Sequence, residues 1–326
     1  MQPFSTLGIA CPPGHAVSGR VPVGALPDGT PVTLPIQILH GTGPGPVVCL
    51  TATVHGDERT GLFILHAVVA ALDPARMRGT VIVFPLVNPL AYISNGRIAD
   101  LDSSGTNMNR AFPGNPAGSI ADRLAATVTA GGISRADYVI DFHDGGIDCA
   151  TRFAIAHDAA DAELAAGNLR LAAAYGIPVV VNPANPTPGM GGMITRAAND
   201  LGIPSTCIEL GGHGPIDPAA VALGAEGTLR VLGAVGVLDP IETPELPAIQ
   251  YGDPFWLRAN AAGAWSPAIG AADVVREGEL VGVVRDVFGE VIEEVRAPRD
   301  VAVVSLRVSP VVMTGEWLGY CAPVAG

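Results

Sequence analysis

The chain contains no lysine: all 18 of its basic residues are arginine. That excludes a Schiff-base lysine, a Walker-type phosphate-binding lysine and an attachment lysine for biotin or lipoate. Cysteine is sparse as well. Cys11, Cys49, Cys149, Cys207 and Cys321 are far apart, odd in number and never form a CxxC pair. Free thiols in a reducing compartment are therefore expected rather than a disulfide framework. Long apolar runs are missing, so no membrane span is predicted. The first residues lack the basic start and apolar core of a signal peptide, and cytoplasmic residence is the expectation. Positive charge is scarce: 31 acidic residues leave a net charge of −13. Such a surface repels phosphate backbones and anionic membranes, so neither nucleic acid nor membrane is an expected partner. An anionic substrate must be met by locally placed cations. A homo-oligomer is compatible with the sequence but not specified by it.

What is present is apolar and aliphatic. Hydrophobic residues make up 48% of 326 residues, enough for a sizeable core in one large domain with an appendage, or in two domains. Residues 21–40 read as a hairpin around the Asp28-Gly29 turn. Short continuous apolar runs then alternate with helical stretches. Strands are predicted at 47–54, 80–87, 137–143, 178–182 and 204–210, and helices near 60–72, 119–130, 161–175, 193–201 and 218–236. This predicts an α/β fold with a mixed, largely parallel sheet flanked by helices. After about 245 the texture shifts to short alternating β segments. The expected division is a catalytic α/β domain at 1–245 and a small β-rich C-terminal domain at 246–326. Within the latter, EGELVGVVRDVFGEVIEEVRAP resembles the half-barrel of a biotinyl or lipoyl domain.

The sharpest chemical feature is TATVHGDERTG, where a buried strand ends at His55, Gly56 turns the chain and Glu58 opens a helix. Ligands collect at the carboxyl ends of strands in open parallel sheets, and imidazole with carboxylate suits Zn²⁺. His143, in DYVIDFHDGG, occupies the same kind of place. Asp141, two residues earlier, shares its face and is suited to hydrogen-bond a ligand histidine. A lone HxxE is a weak signal, and His15, His40, His66 and His157 have no comparable context. Two more stretches carry charge into unusual places. The long loop 88–114 holds Arg97 and Asn109-Arg110, and IPSTCIELGGHG puts Glu209 at the end of a core strand.

HGDE, NGR, NMNRAFPG, DFHD and IELGG follow in order between about 45 and 235. Together they resemble the succinylglutamate desuccinylase/aspartoacylase family of zinc deacylases, relatives of the zinc carboxypeptidases. The resemblance implies a zinc-carboxypeptidase-like α/β fold with an added β-rich C-terminal domain. It implies one Zn²⁺ held by His55, Glu58 and His143. It makes Glu209 the general base and acid, Arg97 the group polarising the scissile carbonyl, and Asn109 with Arg110 the grip on a substrate carboxylate. The substrate would be a small N-acyl amino acid. Other readings stay open: Arg97 pairing with Asp100 or Asp102, Asn109 capping a turn, and Glu209 as a structural carboxylate. Arg196 either lines the site or lies on a solvated helix face, and His213, Tyr251 and Tyr320 have no assigned role. Two rival functions remain, a carboxypeptidase acting on peptides and a non-catalytic binding protein on the same scaffold.

Overall fold

The computed structural model describes residues 1–102, 104–184, 191–241, 250–251 (backbone only) and 254–323. The side chain of Tyr251 and the expected junction near 245 lie outside the described residues.

The first principal strands, β1 (His15–Ala25) and β2 (Pro31–His40), form the hairpin. Its turn closes through Thr30 N–H donating to Asp28 Oδ1, with Gly29 at φ +86°. The hairpin begins earlier than residue 21. Strands β3 (Gly43–Ala52), β4 (Arg78–Phe84), β5 (Tyr138–His143) and β8 (Ser205–Gly211) make the parallel centre of one large sheet. Between β5 and β8 in sequence come β6 (Cys149–His157) and β7 (Val179–Asn182). β6 runs antiparallel to β8, and β7 runs parallel to β6. The sequence reading did not assign β6. Its CATRFAIAH is rich in alanine, and its strand state rests on having neighbours on both sides rather than on propensity.

Four of the six helices named here, α2, α3, α4 and α6, begin at a capping side chain. α1 is Thr60–Ala71. α2 (Pro89–Ser94) is capped by Asn88, has Pro89 in its first turn and ends at left-handed Asn95. α3 (Ile120–Gly131) has a reciprocal Ser119–Asp122 capping box. α4 (Ala162–Ala173) and α6 (Pro218–Ala234) are capped by Asp161 and Asp217, and α5 is Ile194–Asp200. No helix among the described residues is long and apolar enough to cross a membrane.

The sheet has two covered faces. Val48, Leu50, Ile140, Phe142, Ile208 and Leu210 pack beneath α1, α4 and α6. Cys49 and Val139 pack on the opposite face with α3 and α5. Each such fully buried aliphatic or aromatic side chain contributes roughly 1.5–3 kcal/mol. Because strands alternate, Thr51, Asp141, His143 and Glu209 fall on the second face.

The C-terminal strands are β9 (Phe255–Arg258), β10 (Gly263–Pro267), β11 (Leu280–Arg285), β12 (Val291–Arg296), β13 (Val301–Arg307) and β14 (Trp317–Pro323). β10, β11 and β12 belong to a separate four-stranded sheet. β9, β14 and β13 instead extend the main sheet, because β13 pairs with β6 through Ser305 opposite Thr151. The fold is thus a mixed α/β sheet flanked by helices, with a β-rich C-terminal part.

Candidate metal centre and active site

Three segments converge at the carboxyl end of the parallel strands. After β3 the chain passes Thr53 at φ +60° and reaches His55. Gly56 follows, and a Cβ there would fall 2.0 Å from the Ala91 carbonyl of α2, so no other residue fits that approach. Asp57 and Glu58 come next and α1 begins at Thr60, fixed by Asp144 Oδ2 accepting from Thr60 N at 2.7 Å. His143 is the last residue of β5, and Glu209 lies directly opposite it on β8.

His55, Glu58 and His143 are almost fully buried, at 1%, 3% and 3% exposure. Glu58 Oε1 lies 2.8 Å from His55 Nδ1, and its Oε2 lies 2.5 Å from His143 Nδ1. One ligand atom from each of the three residues lies within 4.8 Å of the others. Burial alone would raise the Glu58 pKa, but the two imidazoles outweigh it and hold the carboxylate well below its usual range. Burial likewise opposes charge on His143, yet Asp141 and Glu58 raise its pKa well above the usual value.

The far nitrogens of both histidines are also held. Asp141 Oδ2 is 3.0 Å from His143 Nε2, and Thr51 donates to Asp141 Oδ1 at 2.7 Å. Asn107 Oδ1 is 3.0 Å from His55 Nε2 and also accepts from Asn109 N at 3.0 Å. Each ring therefore turns Nδ1 inward. Asp141, His143 and Cys207 form a second cluster of possible ligands, but His143 Nε2 is engaged there with Asp141 and the Cys207 thiol pKa is driven far up by burial. The N, O, N donor set of His55, Glu58 and His143, two imidazoles and a carboxylate, fits a catalytic zinc that leaves a coordination position open.

Arg97 does not pair with Asp100 or Asp102. It donates from NH1 to Glu58 Oε1 at 2.5 Å, with its side chain half exposed. Asp102 instead accepts from Ser104 N and Ala121 N. Asn109 sits on the short turn Met108–Arg110; its Oδ1 accepts from Ile194 N at 3.2 Å, and its Nδ2 lies 3.3 Å from His143 Nε2, whose proton goes to Asp141. Arg110 donates to the Asn109 carbonyl at 2.6 Å, and burial followed by the nearby Arg97 charge lowers its pKa. Two adjacent guanidinium groups thus supply the local positive charge that an acidic chain needs for an anionic ligand.

Glu209 has its pKa pushed up to about 8, first by burial and then by Glu58 and Asp144, against the pull of His143 and Arg97. Asp144 rises to about 6 for the same leading reason. Past Glu209 the chain folds back through Gly211 and Gly212, at φ +92° and +98°, to His213 at φ +59°. His213 lines a small recess with Asp57, Asp144 and Gly146. Tyr320 on β14 packs 6.0 Å from the Phe153 ring, and Phe153 faces Glu209 across the β6–β8 pair. Arg196 is neither solvated nor among these residues. It is buried and donates to the Pro183 and Ala184 carbonyls.

Sequence reasoning missed Asn107, Thr51 and Asp144. Asn107 was legible as the first asparagine of NMN, spaced to cap the turn that carries Asn109. Thr51 and Asp144 have no sequence signal beyond their neighbours.

Residues 44–235 match the succinylglutamate desuccinylase/aspartoacylase catalytic domain. An N-alpha-acetyl-L-2,4-diaminobutyric acid deacetylase from Halomonas elongata is 28% identical over 301 residues, which cover 90% of this chain and 86% of that protein. A succinylglutamate desuccinylase from Silicibacter sp. TM1040 superposes with a TM-score of 0.85 at 26% identity, covering 99% of this chain and 98% of that one. The product-bound ectoine utilization protein EutE (DoeB) from Ruegeria pomeroyi gives a TM-score of 0.85 at 25% identity, with the same coverage.

Proposed function

Because the chain belongs to the succinylglutamate desuccinylase/aspartoacylase family of amide-cleaving hydrolases, we propose that it is a zinc-dependent deacylase of a small N-acyl amino acid. The observation that carries this reading is the convergence of His55, Glu58 and His143 beside Glu209. The Halomonas relative makes N-α-acetyl-L-2,4-diaminobutyrate the first substrate to test.

His55, Glu58 and His143 would hold the ion, with Asn107 and Asp141 fixing the two rings. When bound, zinc supplies Lewis-acid polarisation and lowers the pKa of water from about 15.7 toward roughly 7. Glu209 takes the proton from the attacking water and later delivers it to the leaving amine. Its raised pKa suits a group that must both accept and return a proton near neutrality. Arg97 swings from Glu58 to the scissile carbonyl and stabilises the oxyanion that develops there. Arg110, with Asn109 setting its turn, grips the substrate carboxylate bidentately.

The test is metal analysis together with acetate release from N-α-acetyl-L-2,4-diaminobutyrate, before and after chelation. One zinc per chain and activity that chelation removes and zinc restores are expected. Unchanged turnover by metal-free protein would overturn the reading. Turnover only on peptides, with release of a C-terminal amino acid, would replace the deacylase with a carboxypeptidase.

A further inference from the structure

The chain leaves β3 through a strained corner. Thr53 is fully buried and sits at φ +60°. A β-branched residue in the left-handed region is an outlier that persists only where its surroundings over-determine it. Here those surroundings are the segment 85–96, which follows β4 and contains α2. Val87 N donates to the Ala52 carbonyl at 3.0 Å, and Asn88 N donates to the Thr53 carbonyl at 3.1 Å. The Thr53 hydroxyl donates to the Pro85 carbonyl at 3.3 Å. At the other end Gly56 N donates to the Gly96 carbonyl at 3.0 Å. The two segments form a clasp. One arm carries His55, and Arg97 follows directly on the other.

Asn88 stands at the centre of the clasp and is only 3% exposed. Its Oδ1 accepts from Ala91 N at 3.2 Å and caps α2. Its Nδ2 donates to the Val54 carbonyl at 3.3 Å. The cap alone does not call for asparagine, since Ser, Thr and Asp serve that purpose too. None of them carries an acceptor and a separate N–H donor on one planar group. The extra donor goes to the carbonyl immediately before His55.

We infer that Asn88 is a positioning residue: it locks the Thr53 corner to α2 and so holds His55 and Arg97 in one frame around Glu58. Both side chains meet Glu58 Oε1, His55 Nδ1 at 2.8 Å and Arg97 NH1 at 2.5 Å. The His55 half rests on the proposed metal centre, and the Arg97 half on the deacylase reading.

Three variants test it. Asn88→Ser keeps a cap and drops the Val54 tether, and Asn88→Ala drops both. Ser119→Ala uncaps α3 and serves as the structural control. Chelator competition measures zinc affinity, and thermal melting of metal-free protein measures the fold. Kinetics on N-α-acetyl-L-2,4-diaminobutyrate at saturating zinc give kcat and KM. Zinc affinity should fall roughly 3- to 10-fold in both Asn88 variants, one lost hydrogen bond near the ligand. Ser119→Ala should lower the melting temperature and leave zinc affinity at the wild-type level. In Asn88→Ser kcat should fall about threefold or more with KM within about twofold, because a displaced Arg97 acts on the transition state. Asn88→Asp, which also keeps the cap and lacks the donor, decides the matter should Asn88→Ser fail to fold. Unchanged zinc affinity in Asn88→Ser, or an equal loss in Ser119→Ala, would overturn the positioning role. Weaker zinc binding with kcat intact would overturn the shared frame. Wild-type protein that binds zinc and turns over no N-acyl amino acid would sink the deacylase reading instead, while the affinity comparison still decides the role of Asn88.

Discussion

Replacing Asn107 with alanine should weaken zinc binding without touching a ligand. The side-chain oxygen of Asn107 is shared between His55 Nε2 and the backbone N–H of Asn109, both at 3.0 Å. Removing it leaves His55 free to rotate and leaves one donor of the Met108–Arg110 turn unpaired. Each lost hydrogen bond is worth about 0.5–1.5 kcal/mol. If both act on the metal-bound state, the loss is about 1–3 kcal/mol, or roughly 5- to 150-fold in the dissociation constant, since 1.4 kcal/mol is tenfold. Outer-shell partners of metal-bound histidines elsewhere give about 10- to 100-fold. Competition against a chromogenic chelator measures the constant directly, and thermal melting of metal-free protein separates the turn's own contribution. Asn107→Asp supplies the counter-test. A carboxylate keeps both acceptors and raises the basicity of His55, so affinity should be retained or improved. Unchanged zinc affinity in Asn107→Ala, with Asn107→Asp no different, would show that His55 is oriented by packing alone.

Glu209→Gln should reduce turnover by at least a thousandfold while metal content stays at the wild-type level; full activity would remove Glu209 from the reaction. Gly56→Ala places a Cβ about 2.0 Å from the Ala91 carbonyl. It should cost more than about 3 kcal/mol in urea denaturation and lower metal occupancy, and a near-neutral result would mean α2 yields easily. His157 is buried, and its pKa is pushed down to about 3, by burial first and by Arg196 second. The unfolded chain gains a proton near pH 6.5 that the folded chain refuses until about pH 3. Stability is therefore intact above pH 6.5 and declines as pH falls, by up to about 2 kcal/mol between pH 7 and 5. His157→Gln should flatten that decline by about one proton in urea titrations at pH 7, 6 and 5. Identical slopes would refute the assignment.

The central sheet was legible because β3, β4, β5 and β8 are buried on both faces and read as short, mostly apolar runs. The convergence of His55, Glu58 and His143 was legible for a related reason: each stands just past or at the end of such a run. β6 was not, since Ala150, Ala154 and Ala156 carry little strand signal and the flanking strands β7, β8 and β13 hold them extended. The engagement of Arg97 with Glu58 crosses 39 residues of sequence, and several acids closer in the chain offered equally plausible partners. Arg196 was misjudged because a charged residue on a short helix reads as solvated, while its burial depends on the carbonyls of Pro183 and Ala184.

The seam between β13 and β6 ties the last quarter of the chain to the strand that flanks Glu209. Deleting that quarter would not simply remove an appendage. It would uncover the backbone of Cys149–Thr151 at the start of β6 as a raw edge, an invitation to aggregation, while β7 would go on covering Ala154–His157. Any ancestor lacking those strands had to shield that border by another device.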